Sequence, residues 1–206
     1  VINAKKQRSP LDERLIQALV TDLDTGFVDL FQTYRGAVFS LALRMSGHWA
    51  DAEDLAAEAF LRAYRALSRF HRSRLLALQP RSWLLTITVN LFRNRHRDAA
   101  RTPAPIEPAT DPPDPPDPTS DVEQACLDRE SNQALSAMLT VLPEDQRAAV
   151  VLRHVIGLPP PEIAKVLGRP LGTVKSDISR ALSRLRTLYT TRPTLVPVPT
   201  LIEAHP

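Results

Sequence analysis

One cysteine, Cys126, stands in the whole 206-residue chain, so no disulfide can form within it. A lone thiol fits the reducing cytosol, and a cytoplasmic location is expected. No run of about 18 apolar residues occurs, which predicts no insertion into a membrane. Residues Val1 to Pro10 are polar and basic without an apolar centre, so a secretory signal is not expected. Glycine is scarce, six in all, and no glycine cluster forms a phosphate-cradling loop. His-Glu-x-x-His, Cys-x-x-Cys and nucleophile-elbow patterns are absent. His48, His71, His96, His154 and His205 lack metal-ligand spacing. These absences predict a protein that is not an enzyme, has no catalytic residues, and uses no metal or cofactor. Aromatic residues are only 5% of the chain, yet a hydrophobic content of 43% is enough for packed cores.

What the chain does have is charge laid out in blocks. The net charge is only +3, but residues 62–101 hold ten arginines and one acid, Asp98. Residues 102–122 hold five acids, eight prolines and no Lys or Arg. Such asymmetry points to basic nucleic-acid faces joined by an acidic connector.

The most specific stretch is 160–186. Ile163, Ala164 and Leu167 make one apolar helical face, and Gly168 follows where a left-handed residue would end the helix. Pro170 discourages continuation, and Thr173 is the expected N-cap of a second helix. Val174, Ile178, Ala181, Leu182 and Leu185 form its expected buried stripe. Lys175, Ser176, Ser179, Arg180 and Arg184 fall on the opposite side. A short helix, a turn and a basic second helix make the helix-turn-helix layout, in which the second helix enters the major groove.

The remaining pattern is helical too. Phe27, Leu30, Phe31, Tyr34, Val38, Leu41 and Met45 keep helical spacing. A helix is expected over about 51–67, with an acidic first half that either complements the helix dipole or faces a partner. A loop is expected over Ser68–Pro80, then a helix from about Arg81 to Ala100. Trp83 on it reads as either core or stacking platform. Asn90, Arg93, Asn94, Arg95 and Arg97 can face outward, beside aromatic residues, as a single strand would require. The fold class is therefore all-α: two small helical domains joined by a proline-rich acidic linker, the second containing the helix-turn-helix. The expected boundaries are a partly helical extension over 1–24, a first domain over 25–101, a linker over 102–122, a second domain of four helices over 123–190, and a proline-rich tail over 191–206. An extended proline-rich linker would reach roughly 65 Å at about 3.1 Å per residue, near two turns of B-DNA.

Three segments in this order resemble bacterial RNA polymerase sigma factors of the sigma-70 family, extracytoplasmic-function type. They are Asp51-Ala-Glu-Asp-Leu-Ala-Ala-Glu-Ala-Phe-Leu-Arg-Ala-Tyr-Arg-Ala-Leu67, Arg81-Ser-Trp-Leu-Leu-Thr-Ile-Thr-Val-Asn-Leu-Phe-Arg-Asn-Arg-His-Arg97, and Leu142-Pro-Glu-Asp-Gln-Arg147 with the stretch through Arg186. The resemblance implies a protein that binds core RNA polymerase and directs promoter-specific initiation. Asp51, Asp54, Leu55, Glu58, Phe60 and Arg62 would meet the polymerase. Phe70, His71, Arg72, Trp83, Asn90, Arg93, Asn94 and Arg97 would hold the melted −10 strand. Arg169, Thr173, Lys175, Ser176, Ser179, Arg180 and Arg184 would meet the −35 duplex. The implied partners are core RNA polymerase, promoter DNA and an anti-sigma factor. Where the family often has arginine, this chain has Asp177; an acid there would repel phosphate unless it accepts from a cytosine amine or pairs with Arg180 or Arg184. The alternative reading is a stand-alone helix-turn-helix regulator, and a third is a purely protein-binding adaptor.

Overall fold

The computed structural model of the chain describes residues 9–101 and 122–191. Most of the expected linker, the first eight residues, the tail beyond Thr191 and the Cys126 side chain lie outside the described residues. The described residues form nine α-helices and no strand. The first domain holds α1 (Pro10–Thr21), α2 (Leu23–Ser46), α3 (Trp49–Leu67), α4 (Arg72–Ala77) and α5 (Pro80–Arg101). After the linker come α6 (Val122–Leu139), α7 (Glu144–His154), α8 (Pro160–Leu167) and α9 (Leu171–Thr191).

Local chemistry sets the breaks. Ser9 caps α1, accepting from the Leu11 N–H at 3.1 Å, and Pro10 supplies a preset φ at the first helical position. Asp22 serves two helices at once. Its N–H closes α1 on the Ala18 carbonyl at 2.9 Å, and its carboxylate opens α2 by accepting from the Thr25 N–H at 2.9 Å. Those bonds to Thr25 hold its carboxyl below the usual range. The helices fold back so closely that a Cβ at Gly26 would collide with the backbone of Ala18 and Leu19.

The α2–α3 pair buries the apolar stripe read from the sequence. Leu30, Val38, Leu41 and Met45 meet Ala52, Leu55, Ala59 and Ala63, all 1% exposed or less. Alanines on one side let the helices approach closely. Phe27, Phe31, Phe60 and Tyr64 fill the outer seam with edge-to-face rings, at centroid separations of 4.8 to 6.4 Å. The expected loop over 68–80 contains α4. Six residues cannot sustain a helix alone; burial of Leu75 and of Leu78 just beyond it holds this turn in place.

Between α8 and α9 the chain turns where expected. Gly168 is left-handed (φ 63°), its N–H reaches the Lys165 carbonyl, and the Arg169 N–H reaches Ala164 at 3.0 Å. The start of α9 differs from expectation. Thr173 is not its cap: the helix begins at Leu171, and the Pro170 carbonyl accepts from Val174 at 3.1 Å. The buried stripe differs as well. Val174 and Ala181 are fully buried, but Leu182 is 39% exposed, and Asp177 takes an inner position at 5%.

The two domains pack on one another. A single apolar cluster runs through both. Of the last four helices, α6 and α7 pack on α2, and α8 packs on α5. Guanidinium groups cross the seam and end on helix C-termini of the other domain. Arg147 of α7 donates to the Met45 carbonyl of α2. Arg81 donates to the Ile156 carbonyl just beyond α7. Arg93 donates to the Leu167 carbonyl, the last of α8, at 3.3 Å. Terminal carbonyls have no partner within their helix, and the dipole favours a cation there.

The Gly26 contact yields a direct expectation. Gly26→Ala should destabilise the protein by about 1–3 kcal/mol through overpacking of α1 on α2. A thermal melt followed by circular dichroism measures it, and an unchanged midpoint would show that the two helices are not this close.

Candidate nucleic-acid interface

The hairpin of α8 and α9 presents one basic face. Lys175, Ser179, Arg180 and Arg184 are exposed along α9, and Thr173 and Ser176 are half-buried beneath its first turn. Ser176 donates to the Thr173 carbonyl at 2.8 Å. Asp177 does not belong to this face. Its partner is neither Arg180 nor Arg184 but Arg169, with an Nη1 to Oδ2 distance of 3.0 Å. The same nitrogen lies 2.6 Å from Asp145 at the start of α7. Arg169 is thus flanked by two carboxylates, which removes the repulsion that an acid on the reading helix would impose. Burial of Asp177 follows from its position one turn before Ala181, on the inner side of α9.

The second face lies on α4 and α5. Trp83 packs partly against the core, and its ring tilts onto Phe70 at 5.7 Å. The Arg74 guanidinium sits 3.9 Å over the Phe70 ring. His71, Arg72, Asn90 and Arg97 are exposed, and Asn94 is half-buried and accepts from Arg97 at 2.9 Å. Arg93 points elsewhere. It pairs with Asp145 at 2.9 Å and Glu144 at 3.3 Å, both in the second domain. A cleft of about 320 Å³ runs between Arg74, Ser82, Trp83 and Thr86 on one side and Lys165 and Val166 of α8 on the other.

The third face is on α3. Asp51, Asp54 and Arg62 are exposed and Glu58 is half-buried, but Leu55 and Phe60 are 1% and 6% exposed. Those two are core residues that support the face rather than form it, because their positions alternate inward on the helix. Exposed Val28, Phe31, Leu61 and Tyr64 lie on α2 and α3 instead. Glu58 takes Arg95 at 2.6 Å and Arg62 at 2.5 Å.

Sequence reasoning missed three residues here. Arg74 and Phe70 stand four apart, a contact pattern that is readable only once α4 is known to be helical. Arg95 was read as one of several outward arginines, and nothing local singles it out for Glu58. Lys165 reaches the Trp83 cleft only through domain packing.

A basic helix-turn-helix face on one helical domain and an arginine- and asparagine-bearing aromatic face on the other point to the class of DNA-binding proteins. Comparison with known proteins narrows this. Residues 30–102 match the Sigma-70 region 2 family and residues 132–185 match Sigma-70 region 4. The chain is 38% identical over 168 residues to the ECF RNA polymerase sigma factor SigE of Mycolicibacterium smegmatis, covering 77% of this chain and 59% of that protein. It is 30% identical over 182 residues to the ECF RNA polymerase sigma factor SigW of Bacillus subtilis, covering 85% of this chain and 95% of that protein. Its fold is similar to the sigma factor RpoE of Bartonella quintana, solved in complex with the anti-sigma factor NepR, at a TM-score of 0.56 and 24% identity over 78% of this chain and 94% of that one. The chain belongs to the sigma-70 family of RNA polymerase sigma factors, extracytoplasmic-function type. A stand-alone helix-turn-helix regulator is not favoured.

The Glu58 cluster is open to titration. Arg95 above all holds its carboxyl below the usual range, with a further contribution from Arg62, despite the opposing effect of burial. A depressed folded value means that the pairing contributes at neutral pH and is lost as pH falls through that value. Glu58 should therefore stay ionised to lower pH than an ordinary glutamate. In Arg95→Met its midpoint, followed by carboxylate carbon shifts, should rise. An unmoved midpoint would show that Arg95 is not its main partner.

Proposed function

We propose that the two reading faces divide promoter recognition between them. Exposed Lys175, Ser179, Arg180 and Arg184 of α9 meet the −35 duplex, where Lys and Arg neutralise phosphate or read guanine. Asn90 and Asn94 of α5, with Trp83, Phe70, His71 and Arg72, hold the unpaired −10 strand by base-edge bonds and stacking. Arg97 contacts phosphate there. Thr173 and Ser176 set the first turn of α9, and Arg169 orients it. The observation that carries this reading is the placement of an asparagine–aromatic face and a basic helix-turn-helix on two domains of one chain.

On this reading the chain works as a cytoplasmic initiation factor and has no catalytic role of its own. Core RNA polymerase docks on α3 through Asp51, Asp54, Glu58 and Arg62 and on the neighbouring exposed Val28, Phe31, Leu61 and Tyr64. Leu55 and Phe60 act from beneath. An anti-sigma partner, of the kind that RpoE carries in its solved complex, is the expected regulator.

Run-off transcription with core polymerase tests the assignment. Full-length protein should direct transcription from discrete promoters only when core enzyme is present. Arg180→Ala should weaken duplex binding by about 1–3 kcal/mol, and Lys175→Ala should lower the salt slope by about one. Asn90→Ala/Asn94→Ala should reduce promoter opening, read by permanganate reactivity, and leave duplex binding unchanged. Duplex recognition that is unaffected by either α9 substitution would overturn the −35 assignment.

A further inference from the structure

We propose that Asp177 and Arg169 are positioning residues for duplex reading: their ion pair sets how α9 is seated in the groove, and neither side chain touches DNA. The proposal rests on the −35 reading above and deepens it. That reading leaves unexplained an acid in the middle of a reading helix. Asp177 lies between Ser176 and Arg180, yet it is only 5% exposed. Its Oδ2 stands 3.0 Å from the Arg169 Nη1, and both atoms are shut off from solvent. The same nitrogen lies 2.6 Å from the Asp145 carboxylate. A guanidinium between two carboxylates is already more than neutralised, and its buried nitrogen cannot reach a phosphate.

Three helices meet at Arg169. Its backbone belongs to the end of α8, where Gly168 is left-handed and the Arg169 N–H donates to the Ala164 carbonyl at 3.0 Å. Its side chain joins the start of α7 through Asp145 and the second turn of α9 through Asp177. Asp145 gives its other oxygen to Arg93 at 2.9 Å, so Oδ2 remains with Arg169.

The neighbouring inner residues of α9 are apolar. Val174 and Ala181, three before and four after Asp177, are fully buried. Apolar burial is non-directional, so these small side chains resist separation of α9 from its neighbours more than they resist a roll about its own axis. A charge-assisted contact has a defined direction. Replacing a buried ion pair by apolar side chains of similar volume is often neutral for stability, so the pair adds little to the fold itself. What it fixes is orientation. Lys175, Ser179 and Arg180 stand within three residues of Asp177 and turn with it. A reading constellation tolerates only about 0.5 Å or 10–20° of error. A rolled α9 would keep the phosphate contacts of its long side chains and lose discrimination between bases.

The test separates orientation from stability and from contact. Arg169→Met/Asp177→Leu removes both charges and keeps most of the volume. The full chain, assembled with core polymerase, would transcribe a pool of barcoded promoters randomised at the −35 element, and sequencing the transcripts gives the base preference at each position. The parent should favour one base by about tenfold or more at the positions that it reads, and the double variant by about twofold at most. The thermal midpoint of the double variant should stay close to that of the parent. Asp177→Asn, which keeps the shape and loses the charge, should lose part of the preference, and it decides the matter if the double variant does not fold. Binding of the holoenzyme to the best promoter, followed against salt, addresses contact. Arg169→Gln should leave the salt slope unchanged, whereas loss of a phosphate contact lowers it by about one. Parent-like preference in the folded double variant, or in Asp177→Asn where the double variant is unfolded, would overturn the proposal and leave the −35 reading standing. A slope lowered by about one in Arg169→Gln would make Arg169 a phosphate contact and overturn it too. A parent with no preference at any −35 position would overturn the −35 reading, and the proposal with it.

Discussion

A guanidinium taken out of water must find oxygen atoms, and Arg147 finds them on two sides. It is half-buried, and burial pulls its pKa below the usual value. Its donors reach the Met45 carbonyl at the end of α2 and the Thr140 and Leu142 carbonyls after α6. Three unpaired carbonyls and one desolvated cation solve each other's problem. Removing the cation would take this partner from the Met45 and Leu142 carbonyls at part-buried positions, where water replaces it incompletely. With α7 fixed on α2 in this way, α8 comes to rest over α5, and the cleft beside Trp83 follows.

Arginine in this chain is divided between holding the fold and facing outward. Of the ten arginines in 62–101, composition alone would assign all to nucleic acid. The structure places Arg62 and Arg95 on Glu58, Arg81 and Arg93 across the seam, and Arg74 over Phe70. Arg72 and Arg97 remain exposed on the candidate strand-holding side. Exposed pairs such as Glu58–Arg62 contribute little to stability, about 0–1 kcal/mol. Their effect is to choose where the charge points.

Local chemistry made much of this legible from residues. Gly168 ends α8 because a left-handed residue is needed there, and α5 begins at Pro80, one residue before the expected start. The apolar periodicity of α2, α3 and α5 marks their buried faces. The seam left no such trace. Arg147 and Met45 are 102 positions apart, and a bond from a side chain to a carbonyl carries no period. Asp177 was opaque for a related reason. Its partner Arg169 lies outside α9, across the turn, so helical spacing pointed to Arg180 and Arg184 instead. The short α4 was hidden because its stability comes from Leu75 and Leu78 meeting the core, not from its own length.

Residues 102–121 tie the two domains into one molecule, and this sets how the seam responds to abundance. Contact across the seam is intramolecular. A tethered domain meets its partner at an effective concentration of about millimolar, whatever the concentration of the protein in the cell. Making more of the chain therefore neither strengthens nor weakens that contact, whereas an interface between separate molecules would fill as the protein accumulates.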